Sequence, residues 1–257
     1  MNSFTQKKSV IVIRSLIFQV VFYLNTTVHV LASMPTMILP HRVMVEIARS
    51  WGRTSVWLLG VVCGVKLECR GREKIPPGPL LVASKHQSAW DTFALLGLFP
   101  YPAYILKREL TWIPFFGWCL LKTGMIPLDR GAGKEAMAGL IVRVRKAIAL
   151  GRQVIVFPEG TRRPLHAEPD YKLGVVQLYA QCAVPCLPMA LNSGQFWPRR
   201  SFLRPPGTIV VEFLDPIPPG QPRAAFFRRL QNDIETATNR LLAENEKPGE
   251  NPAAPVP

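Results

Sequence analysis

From Ser15 to His41 the chain carries no Lys, Arg, Asp or Glu, and no other stretch constrains its fold as much. At ~1.5 Å of rise per helical residue, the run is long enough to cross a hydrocarbon core of about 30 Å. Pro35 interrupts it, so the pattern predicts one helix near 9–33 and a second near 36–63. The second carries His41, Arg42, Glu46, Arg49 and Arg53 before a shorter apolar stretch, Thr54 to Val65. That stretch is too short to span a bilayer by itself. Lys and Arg flank the first segment on both sides, so the positive-inside rule does not favour a single crossing. A helix pair dipping into one leaflet with both ends cytosolic satisfies these charges better; one transmembrane anchor is the competing reading. A cleaved signal peptide fits worst, because Arg14 interrupts the early apolar run.

The charge balance points the same way. Lys and Arg number 31 against 17 Asp and Glu, a formal net charge of +14. The cations recur through the chain rather than forming one run, and mean hydropathy is positive, +0.15. Basic and apolar together fit an anionic membrane lipid surface, at the cytoplasmic face, better than nucleic acid. The five cysteines (Cys63, Cys69, Cys119, Cys182, Cys186) form no CxxC pair, which argues for reduced thiols and against a zinc site.

Beyond Gly64 short apolar runs alternate with helical periodicity. Strands are expected at 65–70, 80–84, 103–106, 124–128, 153–157, 184–191 and 208–214. Helices are expected near 90–98, 133–150, 172–183 and over the stripe Phe226, Leu230, Ile234, Ala237, Leu241. Between Trp112 and Leu121 lies an aromatic-rich segment that either lines an apolar tunnel or is core, and a basic loop follows 191. This alternation predicts an α/β fold, a mixed sheet flanked by helices, preceded by the membrane-embedded helix pair. The expected division is 1–63 for the pair, 64–245 for a catalytic domain and 246–257 for a disordered tail.

Two constellations carry chemistry, each at the end of a buried strand, where open α/β sheets place ligand sites. The first is His86-Gln87-Ser88-Ala89-Trp90-Asp91. An ionised Asp91 can hold the imidazole in one tautomer and stabilise its cation, leaving His86 a general base. The plain structural alternative is a polar loop histidine, with Asp91 capping the next helix. The second is Phe157-Pro158-Glu159-Gly160-Thr161-Arg162-Arg163. Gly160 lets backbone amides approach an anion, Thr161 offers a hydroxyl and Arg162 a planar fork, which together suit a phosphate. Lys107-Arg108 and Asp129-Arg130 end two further strands, so their cations would converge on one sheet edge; for each alone a solvated surface charge is the alternative, as an ordinary turn with solvated arginines is for 157–163. No G-x-S-x-G elbow exists, which argues against a serine esterase.

These blocks, in this order, resemble the glycerolipid acyltransferase family, in particular its 1-acylglycerol-3-phosphate O-acyltransferases. HQSAWD matches the HxxxxD block, and Lys107-Arg108-Glu109-Leu110 with 124–130 matches the second. Phe157 to Arg162 matches the third, and Val184 to Ala190 the fourth; Cys186 and Met189 replace the usual aliphatic residues there. The likeness covers about 64–215. It implies that His86 is the general base and Asp91 its orienting partner. Lys107, Arg130 and Arg162 would contact an acceptor phosphate, in a site shaped by Glu159, Gly160 and Thr161. It further implies lysophosphatidic acid as acceptor, acyl-CoA or acyl carrier protein as donor substrate, phosphatidic acid as product, and neither cofactor nor metal. Another lysolipid, such as a lyso-ornithine lipid or a lysophospholipid, or glycerol-3-phosphate, is the alternative acceptor. A non-catalytic membrane-binding scaffold is the alternative of a different class.

Overall fold

Leu80 to Ser84 is buried at every position, and its side chains alternate between two cores. Leu80 and Val82 enter a cluster with Trp90, Phe93, Leu95 and Ile155, while Leu81 and Ala83 enter one with Val144, Val175, Phe226 and Ile234. A strand buried on both faces sits at the centre of a sheet covered by helices, as its period of two requires. In the computed structural model, which describes residues 3–129, 131 and 133–245, this strand is the fourth of seven, the middle of the sheet. The strands are β1 (Val65–Arg70), β2 (Leu80–Ser84), β3 (Pro102–Lys107), β4 (Ile126–Leu128), β5 (Gln153–Val156), β6 (Cys186–Leu191) and β7 (Gly207–Phe213). Their order is β1-β7-β6-β2-β5-β3-β4, so β2 lies between β6 and β5. All neighbours pair parallel except β6 with β7, which makes the sheet mixed.

The helices are α1 (Ser3–Ser33), α2 (His41–Cys63), α3 (Trp90–Leu98), α4 (Phe116–Lys122), α5 (Gly133–Ala149), α6 (Gly174–Cys182), α7 (Ser193–Phe196) and α8 (Arg223–Ala243). Residues of α2 and α3 share one core with α1, while α5, α6 and α8 supply the core on the other face. Phe18 of α1 is fully buried and meets Trp197 edge-on at 5.5 Å, and Phe22 packs on Phe93. The N-terminal pair therefore shares its core with the sheet. Within the pair, Trp51 Nε1 donates to Thr26 Oγ1 at 3.0 Å and Asn25 Nδ2 to Ser55 Oγ at 3.0 Å. Gly52 is what lets α2 reach α3: a Cβ there would stand 2.4 Å from the Phe93 carbonyl oxygen.

The remaining surface of α1 is apolar. Leu16, Val20, Leu24, Val28 and Leu31, at helical spacing, are each at least half exposed, and the segment Lys8–Ile38 is long and apolar enough to cross a membrane.

Several boundaries differ from expectation for local reasons. The second helix starts at His41 rather than 36, because Pro35 and Pro40 leave only a 3-10 turn, Met34–Ile38, between them. The strand expected from 124 starts at Ile126, since Gly124, at φ +66°, closes the preceding α4. That expected from 184 starts at Cys186, after Ala183 ends α6 in the left-handed region. The aromatic segment forms a 3-10 turn, Arg108–Trp112, and α4. The basic loop after β6 contains the short α7, and its Arg204 is buried over the Trp197 ring at 3.9 Å. The expected tail at 246–257 and Arg130 lie outside the described residues.

Candidate functional site

The parallel register brings the carboxyl ends of β6, β2, β5, β3 and β4 to one edge of the sheet. His86 follows β2, the segment 157–163 follows β5, Lys107 ends β3 and Asp129 follows β4. The convergence expected from sequence is thus a consequence of strand order, with the 157–163 loop between His86 and Lys107.

The turn between β2 and α3 is built around one carboxylate. Asp91, in the first turn of α3 and fully buried, accepts backbone N–H bonds from Gln87 and Ser88 on Oδ2, each at 2.9 Å. Ser88 Oγ accepts the Trp90 N–H at 3.0 Å. An acidic group in a first helical turn also meets the positive end of the helix dipole. The same Oδ2 lies 2.9 Å from His86 Nδ1, so one oxygen both ties the turn together and faces the imidazole. Oδ1 accepts from Ser193 Oγ at 2.6 Å, a donor supplied by α7. With every partner donating to it, the carboxylate fixes the proton on Nδ1 and leaves the lone pair on Nε2.

Aromatic stacking holds the ring plane. The imidazole lies on Phe157 at 3.9 Å and 16°, and Phe157 lies on Tyr104 at 5.9 Å. Tyr104 Oη donates to the Asp91 carbonyl at 2.9 Å, and burial pushes its phenol well above the ordinary range, so it stays a donor. The loops carrying the two sequence blocks also touch directly: the Arg163 N–H donates to the His86 carbonyl at 2.9 Å. Gly160 takes φ +66°, and its N–H closes a turn on Phe157 O at 2.8 Å. Thr161, Arg162 and Lys107 are exposed at this edge.

Glu159 behaves differently from its neighbours. It is 2% exposed, and its Oε1 accepts from Lys85 Nζ at 3.0 Å. Burial pushes its carboxyl up, while Lys85 pulls it back. Lys85 Nζ also donates to Glu235 Oε1 on α8 at 2.7 Å, and Tyr171 Oη donates to that same oxygen at 2.8 Å. Ser193, Glu235 and Tyr171 had no local signature in the sequence; each reaches the site only through the tertiary fold. Gln87 adds a further tie, accepting the Gly194 N–H at 3.1 Å.

Beside the HxxxxD turn, a groove of about 600 Å³ runs between α1 and the segment before α4. Ala89 and Thr92 line its end near the turn, and Phe22, Trp51, Ile113, Phe115 and Phe116 line its apolar walls. Of the aromatic-rich segment, Trp112 and Trp118 are half exposed or more and belong neither to this lining nor to the core.

The acyltransferase family model matches residues 66–192. The 1-acyl-sn-glycerol-3-phosphate acyltransferase of Pseudomonas aeruginosa is 41% identical over 175 residues, which cover 68% of this chain and 68% of that one. The alpha form of Homo sapiens is 31% identical over 158 residues, 60% of this chain and 56% of that protein. The chain thus spans little more than half the length of the human relative. Among solved structures, the 1-acyl-sn-glycerophosphate acyltransferase of Thermotoga maritima shares the fold, with a TM-score of 0.76 at 22% identity, covering 92% of this chain and all of that one.

Proposed function

Because this chain belongs to the 1-acyl-sn-glycerol-3-phosphate acyltransferase family, we propose that this O-acyltransferase moves an acyl group from a thioester donor to the sn-2 hydroxyl of 1-acylglycerol-3-phosphate, forming phosphatidic acid. One observation carries the reading: the buried Asp91 carboxylate lies 2.9 Å from His86 Nδ1, an arrangement that favours Nε2 as a base, and Ala89 of the same turn lines an apolar groove.

His86 Nε2 takes the acceptor hydroxyl's proton as that oxygen attacks the thioester carbonyl carbon. Asp91 stabilises the imidazolium that forms. The tetrahedral oxyanion collapses, the C–S bond breaks, and the thiolate leaves with the proton returned by Nε2. The nucleophile is the substrate hydroxyl, so no acyl-enzyme forms. Lys107 and Arg162, at the ends of neighbouring strands, would meet the acceptor phosphate, with Gly160 and Thr161 shaping its site; Arg130 completes the expected set. The groove suits an acyl chain, since its walls are apolar and its end abuts the HxxxxD turn. Acyl-CoA or acyl carrier protein serves as donor.

The exposed apolar stripe of α1 supports a reading in which the protein works at a lipid surface, where both lipid substrate and product reside. The cytoplasmic face accords with the thiol content and the flanking cations. The test is full-length protein incubated with labelled acyl-CoA and a panel of lysolipids, followed by product identification. Phosphatidic acid as main product supports the reading. Acylation restricted to acceptors without a phosphate monoester would overturn the substrate while leaving the transfer chemistry in place.

A further inference from the structure

Lys85 is the residue before His86, and its ammonium is almost wholly removed from water, 4% exposed. It bridges two elements distant in sequence: the loop after β5, through Glu159 at 3.0 Å, and α8, through Glu235 at 2.7 Å. The Tyr171 phenol adds a second bond on Glu235 and, pushed far above its ordinary range by burial, remains its donor. Arg163 Nε stands 3.9 Å from Glu159 Oε1, so two cations and two carboxylates balance. Apolar residues of equal volume would hold three elements together at less desolvation cost; an ionic cluster adds fixed registry. Registry matters here because Glu159 lies only three positions from Arg162, and Arg163 is hydrogen-bonded to the His86 carbonyl.

We propose that Glu235, on the C-terminal helix and outside the region matched by the family model, is a positioning residue for acyl transfer. Through Lys85 it sets where the 157–163 loop stands relative to His86. The inference rests on the reading of His86 as base and Arg162 as phosphate contact. Without the Glu235 carboxylate, Lys85 is left, among the described residues, with Glu159 as its anionic partner, and the loop bearing Arg162 loses its tie to α8. A displacement near 1 Å is enough to cost catalysis heavily. Because the displaced element is the phosphate loop, the loss falls on acceptor binding rather than on donor binding.

The test uses full-length protein in detergent micelles, with kcat, both KM values and the thermal midpoint measured on the same preparations. Glu235→Ala is expected to raise the acceptor KM about tenfold while the donor KM changes less than about twofold. Glu235→Gln keeps an oxygen for Lys85 and is expected to return the acceptor KM to within about threefold of the parent. Tyr171→Phe removes one bond from Glu235 and is expected to act in the same direction, by about twofold; it decides the matter if Glu235→Ala does not fold. Unchanged acceptor KM in folded variants, or equal changes in every kinetic constant that follow the thermal midpoint, would reduce Glu235 to a structural role and overturn the proposal. The parent protein in the same assay reports separately on the acceptor: if it acylates a different lysolipid, the variants are compared on that one.

Discussion

Replacing Asp91 with Asn separates charge from geometry at this site, because every hydrogen bond it makes can survive. Turned so that its oxygen takes the place of Oδ2, the amide still accepts from Gln87 N, Ser88 N and His86 Nδ1. Its nitrogen then faces Ser193 Oγ, a hydroxyl that rotates freely and can switch from donor to acceptor. The imidazole tautomer is preserved, and only the negative charge that stabilises the imidazolium is lost. Two unit charges about 4 Å apart interact by about 4 kcal/mol at an effective dielectric near 20. At about 1.4 kcal/mol per decade that sets a ceiling near three decades, so kcat should fall about 10²–10³-fold. Asp91→Ala is less informative, since it leaves two backbone N–H groups, the His86 ring N–H and the Ser193 hydroxyl without that partner, at about 1–3 kcal/mol for each left unpaired. The assay is acyl transfer from labelled acyl-CoA at saturating acceptor, with the thermal midpoint as the control for folding. His86→Ala should lose about 10²–10⁴-fold, and the double variant should be no worse than His86→Ala, because the carboxylate acts through the imidazole. An Asp91→Asn protein within threefold of the parent, beside an inactive His86→Ala, would refute the imidazolium argument.

Three smaller perturbations follow from neighbouring contacts. Ser193→Ala removes one charge-assisted bond to Asp91 and should lower stability by about 1.5–3 kcal/mol, with kcat reduced less than about tenfold, measured by melting and turnover together. Burial raises the Glu159 carboxyl above its ordinary value of 4.5, so the folded chain holds its proton to higher pH than the unfolded chain does. Stability from this group therefore declines as pH rises through that interval, the reverse of the usual carboxylate, and Glu159→Gln should flatten the midpoint-against-pH curve there. A steeper decline in the variant would contradict the sign. Gly52→Ala puts a Cβ 2.4 Å from the Phe93 carbonyl oxygen and should cost about 1–3 kcal/mol by forcing α2 from α3; an unchanged midpoint would mean that the helix pair gives way without strain.

What the sequence made legible was local, and what it hid was tertiary. The strand expected at 80–84 and the helix expected near 90–98 both form, and the segment between them carries His86 in a turn where Ser88 Oγ accepts the Trp90 N–H. Of the two explanations weighed for Asp91, the helix cap does not occur: its Oδ2 accepts from Gln87 and Ser88 N–H, ahead of α3, and the same oxygen faces His86 Nδ1. Ser193 and Glu235 lie 102 and 150 residues from the groups they bond, on elements whose own patterns announce only a short polar turn and an amphipathic helix. Glu159 went to the phosphate site by resemblance, yet its carboxylate is paired inside the fold with Lys85, where a like charge does not oppose an anion at the edge. Edge convergence needed the order β2-β5-β3-β4, which periodicity cannot supply.

The N-terminal segment shows the same limit in a different form. Hydropathy sums residues around the whole helix, so it cannot distinguish a helix surrounded by lipid from one pressed against protein along a single stripe. On α1 that stripe exists: Phe18 and Phe22 turn into the core beside Trp197 and Phe93, while Leu16, Val20, Leu24 and Val28 stay exposed. A helix docked on the sheet along one face cannot stand free in a bilayer without lifting the catalytic edge with it. The apolar groove is walled on one side by α1, through Phe22 and Val30, so the same helix that carries the exposed apolar stripe also lines the groove beside the HxxxxD turn.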